Sequence, residues 1–262
     1  MGHQFILTET RDRVGIITFN RPEKLNAFNY EMQTEYRQQI EAWNAEPAIG
    51  AIVLTGAGRA FCAGADFGGW SRQVAGERRE RPAENPGDSW TEFAQRSKPI
   101  VGASNGPAIG VGLTLSLPCD VRIASDRARL AMRFVRVGVI PELGSTQILP
   151  HIVGMGQALE LMLSGRIIDA AEAGRIGLVN RVVAHDDLLD VAVATAAEIA
   201  FNPTESLFAI KKLTWGNYLN STVTEARARE NVEFGAAQQR PTFREAVTAF
   251  GEKREPNFHA AG

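Results

Sequence analysis

Ile100-Val101-Gly102-Ala103-Ser104-Asn105-Gly106-Pro107-Ala108-Ile109-Gly110-Val111-Gly112-Leu113-Thr114-Leu115-Ser116-Leu117-Pro118-Cys119-Asp120 is the stretch from which the rest of the chain can be read. Its apolar start over 100–103 predicts a buried strand, Asn105-Gly106-Pro107 a turn, and the apolar 113–117 a buried helix. Glycines on both sides of Val111 let the backbone approach a ligand closely. A helix opening there aims unpaired N–H groups and the positive end of its dipole at whatever lies in front. The same glycines suit tight helix packing, and this segment alone leaves both uses open.

A second stretch has the same form. The β-prone run 51–55 leads into Gly56-Ala57-Gly58-Arg59-Ala60-Phe61-Cys62-Ala63-Gly64-Ala65-Asp66, again small residues after a buried strand, so two such loops can converge. Together with Arg21-Pro22-Glu23-Lys24-Leu25-Asn26-Ala27-Phe28, residues 138–146, Gly177-Leu178-Val179-Asn180 and residues 250–258, their order and spacing resemble the crotonase family, also called the enoyl-CoA hydratase/isomerase superfamily. The resemblance runs nearly end to end. It implies an α/β fold, a crotonase-like spiral of repeated strand-strand-helix units, with an acyl-CoA-binding core over 1–200 and a C-terminal helical oligomerisation region over 201–262. It also implies an oxyanion hole for a thioester carbonyl formed by the N–H groups of Ala65 and Val111. The same motifs imply substrate contacts from Ala63, Gly64, Asp66, Gly110, Phe134, Lys24 and Ala27, with adenine held by carbonyls of Ala63 and Ala65. The partner is an acyl-CoA thioester, coenzyme A enters as part of the substrate rather than as a cofactor, and the assembly is a homotrimer or a dimer of trimers.

Composition agrees with one sizeable core: 262 residues, 44% hydrophobic, 22% charged, formal net charge -2. That balance leaves no basic footprint for nucleic acid or an anionic membrane. Cys62 and Cys119 form no Cys-x-x-Cys pair, so neither a disulfide scaffold nor a zinc site is expected. The N-terminus lacks a basic region followed by an apolar core, and no run approaches the roughly 18 apolar residues of a membrane span. A cytoplasmic protein is expected.

Local patterns supply the element order. Residues 5–8 and 14–19 predict a hairpin, and Asn29 caps a helix whose apolar side is Met32, Tyr36, Ile40 and Trp43. Short strands are expected at 121–124 and 130–132, and helices at 145–150, 157–163 and 170–173, the last with Asp169 and Glu172 at capping-box spacing. Helices follow over 188–200, 203–215, 223–238 and 242–252. The polar connection between Phe67 and Ser97 reads as a solvated excursion or as a lid using Trp70 or Phe93.

The chemistry turns on three positions. Family members that hydrate enoyl-CoA hold a water between two glutamates, and the corresponding positions here are Thr114 and Phe134, which cannot relay a proton near neutral pH. Glu142, in Ile140-Pro141-Glu142-Leu143-Gly144, stands where double-bond-shifting members carry an acid. One carboxylate suffices to take a C2 proton and return it at C4 if apolar neighbours Ile140, Leu143 and Phe134 raise its pKa. Its alternative role is to cap the helix near Ser145. Asp66 and Asp120 read as structural partners, and Cys62 as a packed residue without a nearby base. Lys24, Lys211, Lys212, Lys253 and Arg254 are candidates for the CoA phosphates. Competing readings are a passive acyl-CoA binder and a hydratase using Glu92. A nicotinamide oxidoreductase is disfavoured by Phe61, which stands where the third glycine of the dinucleotide fingerprint belongs.

Overall fold

In the computed structural model, residues 3–66, 89–218 and 221–259 are described. The expected hairpin forms from β1 (Ile6–Arg11) and β2 (Val14–Phe19), turning at Asp12 in the left-handed region, φ 51°. Asn29 then accepts from the Met32 N–H at 3.0 Å and starts α1 (Tyr30–Ala45), which buries Met32, Tyr36, Ile40 and Trp43. This helix is the crossover that sets β3 (Ala51–Gly56) parallel to β2.

After α2 (Trp90–Arg96), the chain alternates between two sheets. β4 (Ile100–Ser104) joins the large sheet, β5 (Pro107–Ile109) the small one, and α3 (Val111–Ser116) follows. β6 (Val121–Ser125) and β7 (Arg129–Ala131) repeat the move, followed by a 3-10 turn over Arg133–Val137, α4 (Ser145–Val153) and α5 (Met155–Ser164). β8 (Ile168–Asp169), α6 (Ala170–Arg175) and β9 (Arg181–Val183) complete the sheets, whose orders are β1-β2-β3-β4-β6-β9 and β5-β7-β8. This is the repeated strand-strand-helix spiral. It closes with α7 (Leu188–Ala200), α8 (Thr204–Tyr218), α9 (Val223–Ala237) and α10 (Pro241–Glu252).

The parallel strands are covered on both faces, which is why they read as continuous apolar runs. Val14, Ile16, Ala51, Val53, Val101 and Ala103 pack against Leu188, Ala192, Ala196 and Ala200 of α7, while Ile17, Phe19, Ile52 and Leu54 face α1 and the small sheet. Among the described residues no helix is long and apolar enough to cross a membrane.

Several local expectations are corrected. The turn after Asn105 contains strand β5, because the Gly110 N–H pairs with the Ala131 carbonyl and brings the segment into the small sheet, and the helix opens at Val111 as expected. Only half of the capping box at Asp169 forms: Asp169 accepts from the Glu172 N–H, but the Glu172 carboxylate pairs with Arg166 at 2.6 Å. Phe93 is not part of a lid. It is buried, with the Arg37 and Arg96 guanidiniums 4.6 and 5.1 Å from its ring centroid. Trp70 lies outside the described residues.

Candidate active site

Two loops meet beside α3. The Cys62 N–H donates to the Pro107 carbonyl and the Ile109 N–H to the Cys62 carbonyl, each at 3.0 Å, so residues 60–65 run alongside β5. On the other side the Phe28 N–H donates to Gly64 and the Asp66 N–H to Phe28, which holds residues 64–66 extended. The intervening Ala65 N–H points away from that pairing. Val111 is the first residue of α3, where an N–H has no intrahelical acceptor. Among the described residues neither N–H has a backbone partner.

The glycines have two separate roles. Gly110, at φ 55° and ψ -118°, adopts a conformation that L side chains rarely reach, although a Cβ there would have its nearest neighbour, Phe134, at 4.0 Å. At Gly112 the limit is space, since a Cβ would lie 1.9 Å from the Cys62 carbonyl oxygen. Close packing and presentation of the Val111 N–H are therefore one arrangement.

A cavity of about 510 Å³ opens in front of these groups, lined by Ala63, Gly64, Ala65, Gly110, Val111, Phe134 and Glu142 among the expected residues. Ile109, Arg133, Val137, Val139 and Pro141 line it as well and were not foreseen. The position beside Phe134 was the available signal for Arg133. Lys24, Ala27 and Asp66 stand outside the lining. Asp66 pairs with buried Arg21 at 2.7 Å and with Lys24 at 3.4 Å, and Arg21 also donates to the Ala27 carbonyl, so the three belong to the brace behind the loop.

Glu142 sits in a turn where Leu143 and Gly144 both have positive φ, 56° and 72°; Leu143 is anchored through its carbonyl by the Thr91 hydroxyl at 2.6 Å. A non-glycine residue in that region stores strain beside the cavity. Its side chain does not cap α4, whose cap is Gly144 and which begins with a Ser145 N–H bond to the Glu142 carbonyl. Glu142 is exposed; of the apolar neighbours expected around it, Phe134 and Ile140 line the same cavity, but Ile140 is 82% exposed and does not enclose the carboxyl.

The remaining candidates are engaged elsewhere. Thr114 is buried and donates to the Val111 carbonyl at 3.1 Å. Burial pushes the Cys62 thiol up to about 11 and Cys119 to about 12, so neither is a thiolate near neutral pH. Lys211 is buried against Asp120 at 2.7 Å, which in turn accepts from the Ile100 N–H. Lys212 pairs with Glu233, Lys253 ends α10 in the left-handed region, and Arg254 pairs with Glu245 and Glu252. Glu92 completes a capping box with Ser89 at the start of α2.

A family model for enoyl-CoA hydratase/isomerase matches residues 9–261. The chain is 37% identical to a probable enoyl-CoA hydratase of Rhizobium meliloti, covering 98% of this chain and 99% of that one. It is 34% identical to 1,2-epoxyphenylacetyl-CoA isomerase of Escherichia coli, covering 97% and 98%. The crystal structure of an enoyl-CoA hydratase from Bacillus anthracis superposes with a TM-score of 0.89 at 31% identity, covering 98% of this chain and all of that one.

Proposed function

The chain belongs to the enoyl-CoA hydratase/isomerase family and is one of its acyl-CoA-processing enzymes; on that premise we propose that it shifts a carbon–carbon double bond in an unsaturated acyl-CoA. The observation carrying this reading is that Glu142 lines the cavity; the family resemblance supports it by matching Thr114 and Phe134, neither an acid, to the two positions of water-activating glutamates. The substrate thioester oxygen lies between the N–H groups of Ala65 and Val111. Glu142 removes a proton from C2 of a 3-enoyl-CoA, the electron pair delocalises into a dienolate whose charge rests on that oxygen, and Glu142 returns the proton to C4. No water enters the balance.

Hydration is the second reading, favoured by the hydratase names of many relatives. One preparation assayed with a 3-enoyl-CoA and a 2-enoyl-CoA separates the two. Isomerisation should be lowered in Glu142→Gln by on the order of a hundredfold to ten-thousandfold with acyl-CoA affinity kept. Brisk hydration of the 2-enoyl substrate, an inert 3-enoyl substrate and an unaffected Glu142→Gln variant would overturn the isomerase reading. Binding without either reaction would make the protein a passive acyl-CoA binder.

A homotrimer, or a dimer of trimers, is part of the same proposal. Its support is the apolar surface of the C-terminal helices, where Val223, Val232, Phe234 and Phe250 are exposed. Sedimentation velocity gives the assembly mass, and a monomer at micromolar concentration would remove this part. The cellular setting we propose is the cytoplasm, which suits two free buried thiols.

A further inference from the structure

The cavity is mostly apolar, yet among the described residues two charged ones line it, Glu142 and Arg133. Arg133 opens the 3-10 turn that also supplies Phe134 and Val137, and it is half-buried. Among the described residues it has no ion pair or hydrogen bond. Arginines without such a partner elsewhere in the described residues, Arg59, Arg127, Arg181, Arg227 and Arg244, are all exposed, whereas other arginines are engaged. Arg21 pairs with Asp66, Arg122 donates to three carbonyls, Arg166 bridges Glu160 and Glu172, and Arg254 bridges Glu245 and Glu252. A half-buried guanidinium at a mostly apolar cavity gives up part of its water and, among the described residues, gains no protein acceptor in return. Its planar donor fork fits a carboxylate or phosphate.

We propose that Arg133 is a specificity residue for an acyl-CoA whose acyl group ends in an anionic oxygen group, namely the mono-CoA thioester of a dicarboxylic acid. This rests on the acyl-CoA reading above. The phosphates of coenzyme A offer the same chemistry from another source. Position favours the acyl end: Arg133 lines the same cavity of about 510 Å³ as Ala65 and Val111, which take the thioester carbonyl, whereas the phosphates stand a full pantetheine arm away from that carbonyl.

The test is calorimetric and needs no turnover. Saturated dicarboxylic mono-CoA thioesters from glutaryl-CoA to suberoyl-CoA are titrated beside the uncharged acyl-CoA of equal carbon number and free coenzyme A. At least one length should bind the wild-type protein about ten- to a hundredfold tighter than its uncharged counterpart. Arg133→Met should abolish that preference and leave coenzyme A affinity unchanged. Arg133→Lys should keep part of it, a cation without the fork. Wild-type protein with no preference at any length overturns the inference and leaves the acyl-CoA reading standing. Equal weakening of all ligands by Arg133→Met assigns the residue to the phosphates and also overturns it. Absence of acyl-CoA binding removes both. The wild-type comparison decides even if the variants fold poorly.

Discussion

The Cys62 carbonyl oxygen lies 1.9 Å from where a Cβ on Gly112 would stand. The first loop and the start of α3 can therefore share one site only while position 112 carries no side chain. Gly112→Ala should abolish turnover and cost about 1–3 kcal/mol or more, as overpacking does, with a matching fall in the urea midpoint. Gly110→Ala has room and meets only the cost of its dihedrals, about 1–3 kcal/mol, so it should stay folded while losing activity. Gly156, in a helix with open space around it, is the control and should tolerate alanine. Equal behaviour of all three variants would separate the glycines from the site.

Lys211 and Asp120 tether α8 to the start of β4. The lysine side chain is only 5% exposed, and it also donates to the Lys98 carbonyl. Asp120→Ala strands a buried cation and should cost about 3–5 kcal/mol. Lys211→Met removes the charge with its stem volume retained and should cost distinctly less. Chemical denaturation of the two variants checks the order, and the reverse order would mean that the aspartate is the poorly solvated partner.

Neither thiol should react in the native state. With Cys62 pushed up to about 11 and Cys119 to about 12 by burial, a disulfide reagent at pH 8 should label neither until denaturant is added. Rapid stoichiometric labelling of Cys62 in the folded protein would show that its thiol is neither packed away nor held protonated.

Glu245 should govern the acid response of the C-terminal segment. Hydrogen bonds from Arg254, and then from the Asn257 N–H at 2.7 Å, hold its carboxyl down to about 2 from an ordinary 4.5. A depressed carboxylate contributes stability that is complete above the unfolded value and is lost as pH falls through the folded one. Hydrogen-exchange protection over 253–259 should therefore decline between about pH 4.5 and 2, and more readily at high salt. In Glu245→Gln it should already be low at pH 7. A flat wild-type profile across that window would show that the contact does not hold the segment.

Much of the site was legible because its chemistry is carried by the backbone. Small residues after a buried strand, twice, announce close backbone approach, and the family resemblance then singles out Ala65, Gly110 and Val111 within those loops. Side chains whose role depends on distant partners were harder to read. Lys211 looks like any exposed lysine until α8 folds back onto Asp120, and Asp66 acquires its brace only when the distant Arg21 and Lys24 are brought to its carboxylate. Phe93 looks like a surface aromatic within a polar connection until two arginines close over it.

The sequence by itself determined the longer strands, the first crossover helix and that no carboxylate stands at Thr114 or Phe134, because these follow from local periodicity and from residue identity. Tertiary structure alone decided that Arg133 stands in the cavity, that Glu142 is exposed rather than enclosed by Ile140, and that the Cys62 carbonyl fills the space beside Gly112. The physical reason is range: hydrogen-bonded geometry repeats every few residues along the chain, whereas solvation and contact at a site depend on which distant segments fold against it.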